Sequence, residues 1–225
     1  MSDSKFAFQP VKILEMLSKL EARSELERSG KIDISHENSM LAVTGDTGKF
    51  LSILISAMKC NRILEIGTSV GYSTLWMALA LVQNQELLNS PNRNIITIEN
   101  NSSKIKRAVK NFEEAGVREL IEMVEGNALN ILTQLSTKNN TEIYTGNNLF
   151  DFVFLDADKE GLVSYFDLVL PLVRKGGVIV TDNILSPKDY RSSMIDYVNH
   201  VRSKQDIQSV TVPIGYGEEV SLKIK

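Results

Sequence analysis

Cysteine is almost absent from this 225-residue chain. One residue, Cys60, cannot close an intrachain disulfide, so a disulfide-stapled secreted scaffold is excluded. Histidine is nearly as scarce. His36 and His200 stand far apart, and no Cys or His falls at zinc spacing. No segment approaches the ~18 apolar residues that span a bilayer. The N-terminal MSDSKFAFQP carries no apolar signal core, so the expected setting is soluble and cytoplasmic, with no membrane partner. An excess of positive charge is missing too. The formal net charge is −3, which argues against a nucleic-acid partner. What remains is an ordinary globular balance of 43% hydrophobic and 24% charged residues, enough for one sizeable α/β core.

The hydrophobic pattern divides the chain. Residues 11–28 repeat Ile13, Leu14, Leu17 and Leu20 at helical spacing, with Pro10 near the start and Gly30 as a stop. HENSMLAVTGDTG (36–48) reads as a loop, and KFLSILISAMK returns to helix. From residue 61 short apolar runs alternate with helical stretches. Strands are expected at RILEIG (62–67), NIITIE (94–99), IEMVEG (121–126), FDFVFL (150–155) and GGVIVTDN (176–183). Helices are expected at 72–82, 102–116, 127–135, 162–173 and 188–204, with Ser102 or Ser103 capping the second. IQSVTVP and EEVSLKIK flank the turn IGYG as a closing strand pair, too tightly joined for a helical crossover, so one of the two runs antiparallel. Strands alternating with helices imply an α/β fold with a mostly parallel sheet covered on both faces. There is one domain, residues 1–225, with a helical extension over about 1–50. QNQELLNSPNRN (83–94) and STKNNTEIYTGNN (136–148) look like surface insertions.

In open α/β sheets ligands bind at the C-terminal ends of the strands. The first strand ends in Gly67, in ILEIGTSVGYS. The spacing differs from G-x-G-x-x-G, because Ser69 stands where the second glycine would admit a pyrophosphate. The turn therefore suits a nucleoside without one. Glu99 ends the second strand and can accept ribose hydroxyls. Gly126, Asn127 and Ala128 end the third, placed to flank an adenine. Asp156 ends the fourth; Asp182 and Asn183 end the fifth. If those strands are neighbours, their ends lie ~5 Å apart. Two carboxylates and an amide carbonyl then make a hard site for Mg²⁺, with Mn²⁺ or Ca²⁺ as alternatives. Each residue taken singly is also an ordinary turn or solvated strand tip.

LEIGTSVGYSTLWMALAL, ITIE, EGNAL, FDFVFLDADK, LVRKGGVIVTDN and VPIGYGEEVSLKIK occur in one order. Together they resemble the cation-dependent O-methyltransferases that include catechol and caffeoyl-coenzyme A O-methyltransferases. The resemblance covers residue 36 onward. It implies a Rossmann-like class I methyltransferase fold, with seven strands and an antiparallel last strand. It implies S-adenosylmethionine as cosubstrate, held by Glu65, Gly67, Tyr72 and Ser73 at the first turn, Glu99 at the ribose, and Gly126, Asn127 and Ala128 at the adenine. Val43 and Thr44 would line the methionine end, and Asp156 would also border the cofactor. Asp156, Asp182 and Asn183 would be the metal ligands and Lys159 the base that takes the acceptor's proton. A neighbouring cation and partial desolvation disfavour the ammonium form of such a lysine. The expected acceptor is a small hydroxylated molecule, a vicinal dihydroxy aromatic, and the expected assembly a homodimer. Asp158 is assigned to structure, as a turn or helix cap. NILSPKDYR carries no aromatic before Tyr190, where many members pack the acceptor ring. The N-terminal helix either covers the site, mediates dimer contacts or simply docks on its own sheet. Two other readings stay open. One is a nicotinamide-dependent oxidoreductase, which Glu99 suits and Ser69 disfavours. The other is a non-catalytic adenosyl-ligand binder, for which Lys159 and its neighbours would have no use.

Overall fold

The computed structural model describes residues 8–84, 93–136 and 148–225. Most of both expected insertions lies outside the described residues. Seven strands form one sheet: β1 (Arg62–Ile66), β2 (Asn94–Glu99), β3 (Ile121–Glu125), β4 (Phe150–Leu155), β5 (Val173–Thr181), β6 (Ile207–Val212) and β7 (Glu218–Lys223). Their order is β3-β2-β1-β4-β5-β7-β6. The first five are mutually parallel, and β7 runs antiparallel to both β5 and β6. This is the architecture expected of a class I methyltransferase. The chain reverses its winding between β1 and β4, so the ligand crevice opens there.

Seven helices longer than one turn occur among the described residues: α1 (Pro10–Arg28), α2 (Gly45–Ala57), α3 (Tyr72–Gln83), α4 (Ser102–Glu114), α5 (Ala128–Ser136), α6 (Leu162–Val169) and α7 (Arg191–Ser203). Strand alternation decides which helices meet which face. Phe152 and Phe154 of β4 join Ile63, Val178 and Val180 in a core with α1 to α4. Val153 and Leu155 join Leu64, Ile66 and Ile179 in a second core with α5 to α7. A strand buried on both faces has to read as a nearly unbroken apolar run, as FDFVFL does.

Four expectations shift. The loop over 36–48 is shorter than expected, because Thr44 caps α2 by accepting from the Thr47 N–H at 3.1 Å and the helix already begins at Gly45. The cap of α4 is Asn101, not Ser102 or Ser103; its Oδ1 accepts from the Ser103 and Lys104 amides at 2.9 and 3.1 Å. Strand β5 begins at Val173, before the glycines, because a register shift opposite Phe150–Phe152 absorbs the extra residues. The 162–173 helix ends at Val169 and passes into a short 3-10 turn that accommodates Pro171.

Candidate active site

The parallel ladder continues one residue past each central strand. The Gly67 amide donates to the Ile98 carbonyl at 3.0 Å, Asp156 to Ile66 at 2.9 Å and Asp182 to Leu155 at 3.1 Å. Gly67, Asp156 and Asp182 are thereby carried side by side along one edge. Gly67 has φ +101, and a Cβ there would strike the Asp156 carbonyl. Glycine is required here because the first turn and the end of β4 touch. Above this edge lies a cleft of about 1230 Å³.

One end of the cleft holds Glu99, Gly126, Asn127 and Ala128. Glu99 is held by three backbone amides: Ser69 donates to Oε2 at 2.8 Å, and Asn100 and Asn101 donate to Oε1 at 2.9 and 3.0 Å. A carboxylate offers about four lone pairs, so Oε2 keeps an acceptor site. Asn127 also serves α5, its Oδ1 accepting from the Asn130 amide at 3.1 Å. Gly67 borders both the cleft and a narrow adjoining niche that Val43, Tyr72 and Ser73 also line. The Tyr72 hydroxyl is buried beside Trp76.

Glu65 and Thr44 depart from their expected places. Glu65 is fully buried and lines neither cavity. Its carboxyl accepts from Ser73 and Thr74 at 2.5 Å and from Thr97 at 2.6 Å. Burial pushes it up to about 7 even against those three bonds. Its position on β1, pointing between strand and helix, makes it a brace for the start of α3. Thr44 lines neither cavity; its hydroxyl is spent on the α2 cap.

The other end gathers Asp156, Lys159, Asp182 and Asn183. Lys159 Nζ donates to Asp156 Oδ1 at 3.1 Å, with side chains 11% and 18% exposed. Asp182 is 1% exposed. Burial and the Asp156 charge push its carboxyl up to about 7. Asn183 adopts φ +68, a conformation asparagine tolerates, and its amide donates to Asp182 Oδ1 at 2.6 Å. Asp158 is structural: Oδ1 accepts from the Gly161 amide at 2.8 Å and Oδ2 from the Tyr165 hydroxyl. Pro187, Tyr190 and Tyr216 complete this end, and the Ile184 and Leu185 amides bond to the 214–217 turn at 2.9 Å.

Glu218 was not foreseen as part of this cluster. It is fully buried, its Oε1 accepts from Thr47 at 3.0 Å, and its buried Oε2 has no donor of its own and lies against Asp182. Burial and Asp182 push it up to about 10. The available signal was Glu218-Glu219 opening a strand. Alternation sends them to opposite faces, Glu219 to Arg202 at 2.9 Å and Glu218 to the site.

The donor set fits a hard divalent cation. Asp156, Asp182 and Asn183 line the same end of the cleft, and two carboxylates with a side-chain amide are oxygen donors of the hard kind. Among the described residues no group of three or more His, Cys, Asp or Glu is arranged to hold a metal, and this set has only two carboxylates as direct candidates, the third donor being Asn183.

The N-terminal segment is the remaining wall. Helix α1 buries Ile13, Met16, Leu17 and Leu20 in the first core, and the strap after it, residues 29–42, borders the cleft through Ile32, Asp33, Leu41 and Ala42. No described helix is long and apolar enough to cross a membrane.

Known proteins are similar to this chain in sequence and fold. A catechol O-methyltransferase of Mycobacterium tuberculosis is 37% identical over 145 residues, covering 64% of this chain and 58% of the relative. The chain thus spans less than two thirds of the length of the first curated relatives it matches. A caffeoyl-CoA O-methyltransferase of Nicotiana tabacum is 27% identical over 202 residues, 83% of this chain and 79% of the relative. Among solved structures, the O-methyltransferase TomG of Streptomyces achromogenes, involved in tomaymycin synthesis and bound to SAM, superposes with a TM-score of 0.73 at 30% identity over 94% of this chain and 90% of its own. An O-methyltransferase of Bacillus cereus in complex with SAH gives 0.71 at 26%, covering 94% and 90%. The O-methyltransferase family model matches residues 18–218, and the chain belongs to that family.

Proposed function

We propose that the chain transfers the methyl group of S-adenosylmethionine to a hydroxyl of a small acceptor, a vicinal dihydroxy aromatic, using a divalent cation, Mg²⁺ above Mn²⁺ or Ca²⁺. The observation that carries this is the contact of Gly67 with Asp156, which joins the nucleoside turn directly to the carboxylate end of the cleft. A donor methyl and an acceptor hydroxyl bound on either side of that contact are neighbours, the proximity that displacement at an already activated methyl requires.

Glu99 would hold the ribose, and Gly126, Asn127 and Ala128 the adenine face. Tyr72, Ser73 and Val43 would border the methionine portion. Asp156, Asp182 and Asn183 would hold the cation, which when bound lowers the pKa of a coordinated phenol and fixes two adjacent oxygens. Lys159 donates to Asp156 Oδ1 at 3.1 Å as an ammonium; it would receive the acceptor's proton only after losing its own to solvent, which a cation held by Asp156 would favour. The acceptor O–H bond gives its proton to the Lys159 amine. The O–CH₃ bond forms as the C–S bond breaks, and its electron pair leaves on sulfur. Tyr190 and Tyr216 would offer aromatic contact to the acceptor. A reducing cytoplasm and a homodimer belong to the same proposal; sedimentation of the purified chain tests the latter.

The test is methylation of a catechol-type panel with S-adenosylmethionine, with and without EDTA. Product that depends on added Mg²⁺ is expected. Turnover undiminished after complete metal removal would discard the cation, and S-adenosylhomocysteine binding without product on any dihydroxy aromatic would discard the acceptor class.

A further inference from the structure

The peptide of Met40 is gripped from both sides. Its N–H donates to Glu27 Oε2 at 2.8 Å, and Glu27 Oε1 accepts in turn from Arg23 at 2.9 Å, tying the grip to α1. Its carbonyl accepts from the Ser69 hydroxyl. Met40 is 1% exposed, so an unpaired carbonyl there could not turn to water. Ser69 belongs to the nucleoside turn, where its own amide donates to Glu99 Oε2 at 2.8 Å. Ser69 holds φ +48, a left-handed conformation that glycine adopts at no steric cost. A serine at this place gives up that ease and gains a hydroxyl, and the hydroxyl is spent on the strap. The next strap residue, Leu41, is also left-handed, at φ +44, and with Ala42 it borders the cleft. The same strap is tied to α4 by Arg107 to the Asn38 carbonyl at 2.6 Å and by Asn101 to the Glu37 carbonyl at 3.3 Å.

We propose that Ser69 is a positioning residue for the acceptor: a clasp between the nucleoside turn and strap 29–42 that sets the cleft wall from the cofactor side. The proposal rests on the reading of Glu99 as the ribose carboxylate. A nucleoside on Glu99 fixes that carboxylate, the carboxylate fixes the Ser69 amide, and the Ser69 side chain fixes Met40 and the wall after it. By linkage, the strap and the nucleoside favour each other's bound arrangement.

The test uses the full chain and S-adenosylhomocysteine as probe, read by amide hydrogen exchange over residues 38–42. In the wild type the probe slows exchange there. In Ser69→Ala exchange is about tenfold faster and the probe no longer slows it, while the affinity for S-adenosylhomocysteine stays within about threefold. With a working acceptor, its KM rises about tenfold and kcat changes by less than about threefold. Ser69→Gly, which relieves the backbone, gives the same loss and separates the hydroxyl from strain. Glu27→Ala loosens the same peptide, and its effect combines with that of Ser69→Ala less than additively. Exchange unchanged in both Ser69 variants overturns the clasp. Faster exchange with an unaltered acceptor KM overturns its part in acceptor positioning. If no acceptor is ever methylated, the exchange measurements still decide the clasp, so its failure and that of the proposed function are distinguishable.

Discussion

Two groups of carboxylates sit along one sheet edge, and they are treated oppositely. On the β1–β2 side, Glu65 and Glu99 each receive three hydrogen bonds from hydroxyls or backbone amides. On the β4–β5–β7 side, Asp156, Asp182 and Glu218 crowd together with few donors, and Lys159 is the cation paired with them. The first group is finished by the protein itself and serves as a rigid frame. The second carries a surplus of acceptor oxygen, which like charges in a dry place make unfavourable. The proposed cation would relieve that crowding, so the contrast gives the proposal a physical basis on this chain's own residues.

The largest expected effect comes from emptying the crowded side. Chelation of divalent metal, or Asp156→Ala, lowers kcat/KM for a catechol acceptor by about a thousandfold, as measured by product formation with and without restored Mg²⁺. Lys159→Met follows, with kcat down about a hundredfold and S-adenosylhomocysteine affinity little changed. An unaltered kcat would remove Lys159 as the base. On the finished side, Glu99→Gln weakens S-adenosylhomocysteine by about tenfold in titration calorimetry, because the amide returns one acceptor where the carboxylate had two.

Stability sharpens the contrast further. In EDTA, Asp182→Asn raises the melting temperature by a few degrees, corresponding to ~1 kcal/mol, because it removes a carboxylate whose charge burial and Asp156 disfavour. A lower melting temperature would show that the crowded side is not strained. A pH slope at Glu65 tests the finished side. The folded chain holds a proton on Glu65 between about 4.5 and about 7, where the unfolded chain does not. That contribution to stability is full below the window and declines as pH rises through it, with a slope of up to ~1.4 kcal/mol per pH unit. Urea melts at several pH values should show Glu65→Gln flatter across the window than the wild type.

The legible parts of the sequence were those that depend on local periodicity. NIITIE is a strand over the residues expected, 94–99, and Asp156 and Asp182 directly follow adjacent strands whose runs FDFVFL and VIVT are nearly unbroken in apolar residues. The parts that escaped depend on contacts between distant segments. Glu218 meets Asp182 only because β7 inserts antiparallel beside β5, pairing Glu219 with Thr181. Ser69 meets Met40 only because the strap after α1 runs along the cleft. Glu65 was expected at the cofactor because the resemblance implied it; strand alternation turns it inward, where three hydroxyls donate to it. The alternation of β1 was readable, but its hydroxyl partners lie on α3 and β2 and have no common spacing.

The placement of β7 has a consequence for the order of events during synthesis. Strand β6 bonds to no strand but β7, and β7 lies between it and β5. A growing chain therefore emerges with β6 unpaired and β5 an exposed edge, and only synthesis through residue 223 lets the last strand fill the gap. The turn at 214–217, which holds Ile184 and Leu185 beside Asn183, closes in the same late step. The carboxylate cluster is thus assembled last, by a long-range pairing of the slow kind. A nascent chain would have the turn after β1 in place while still lacking the 214–217 turn that bonds Ile184 and Leu185.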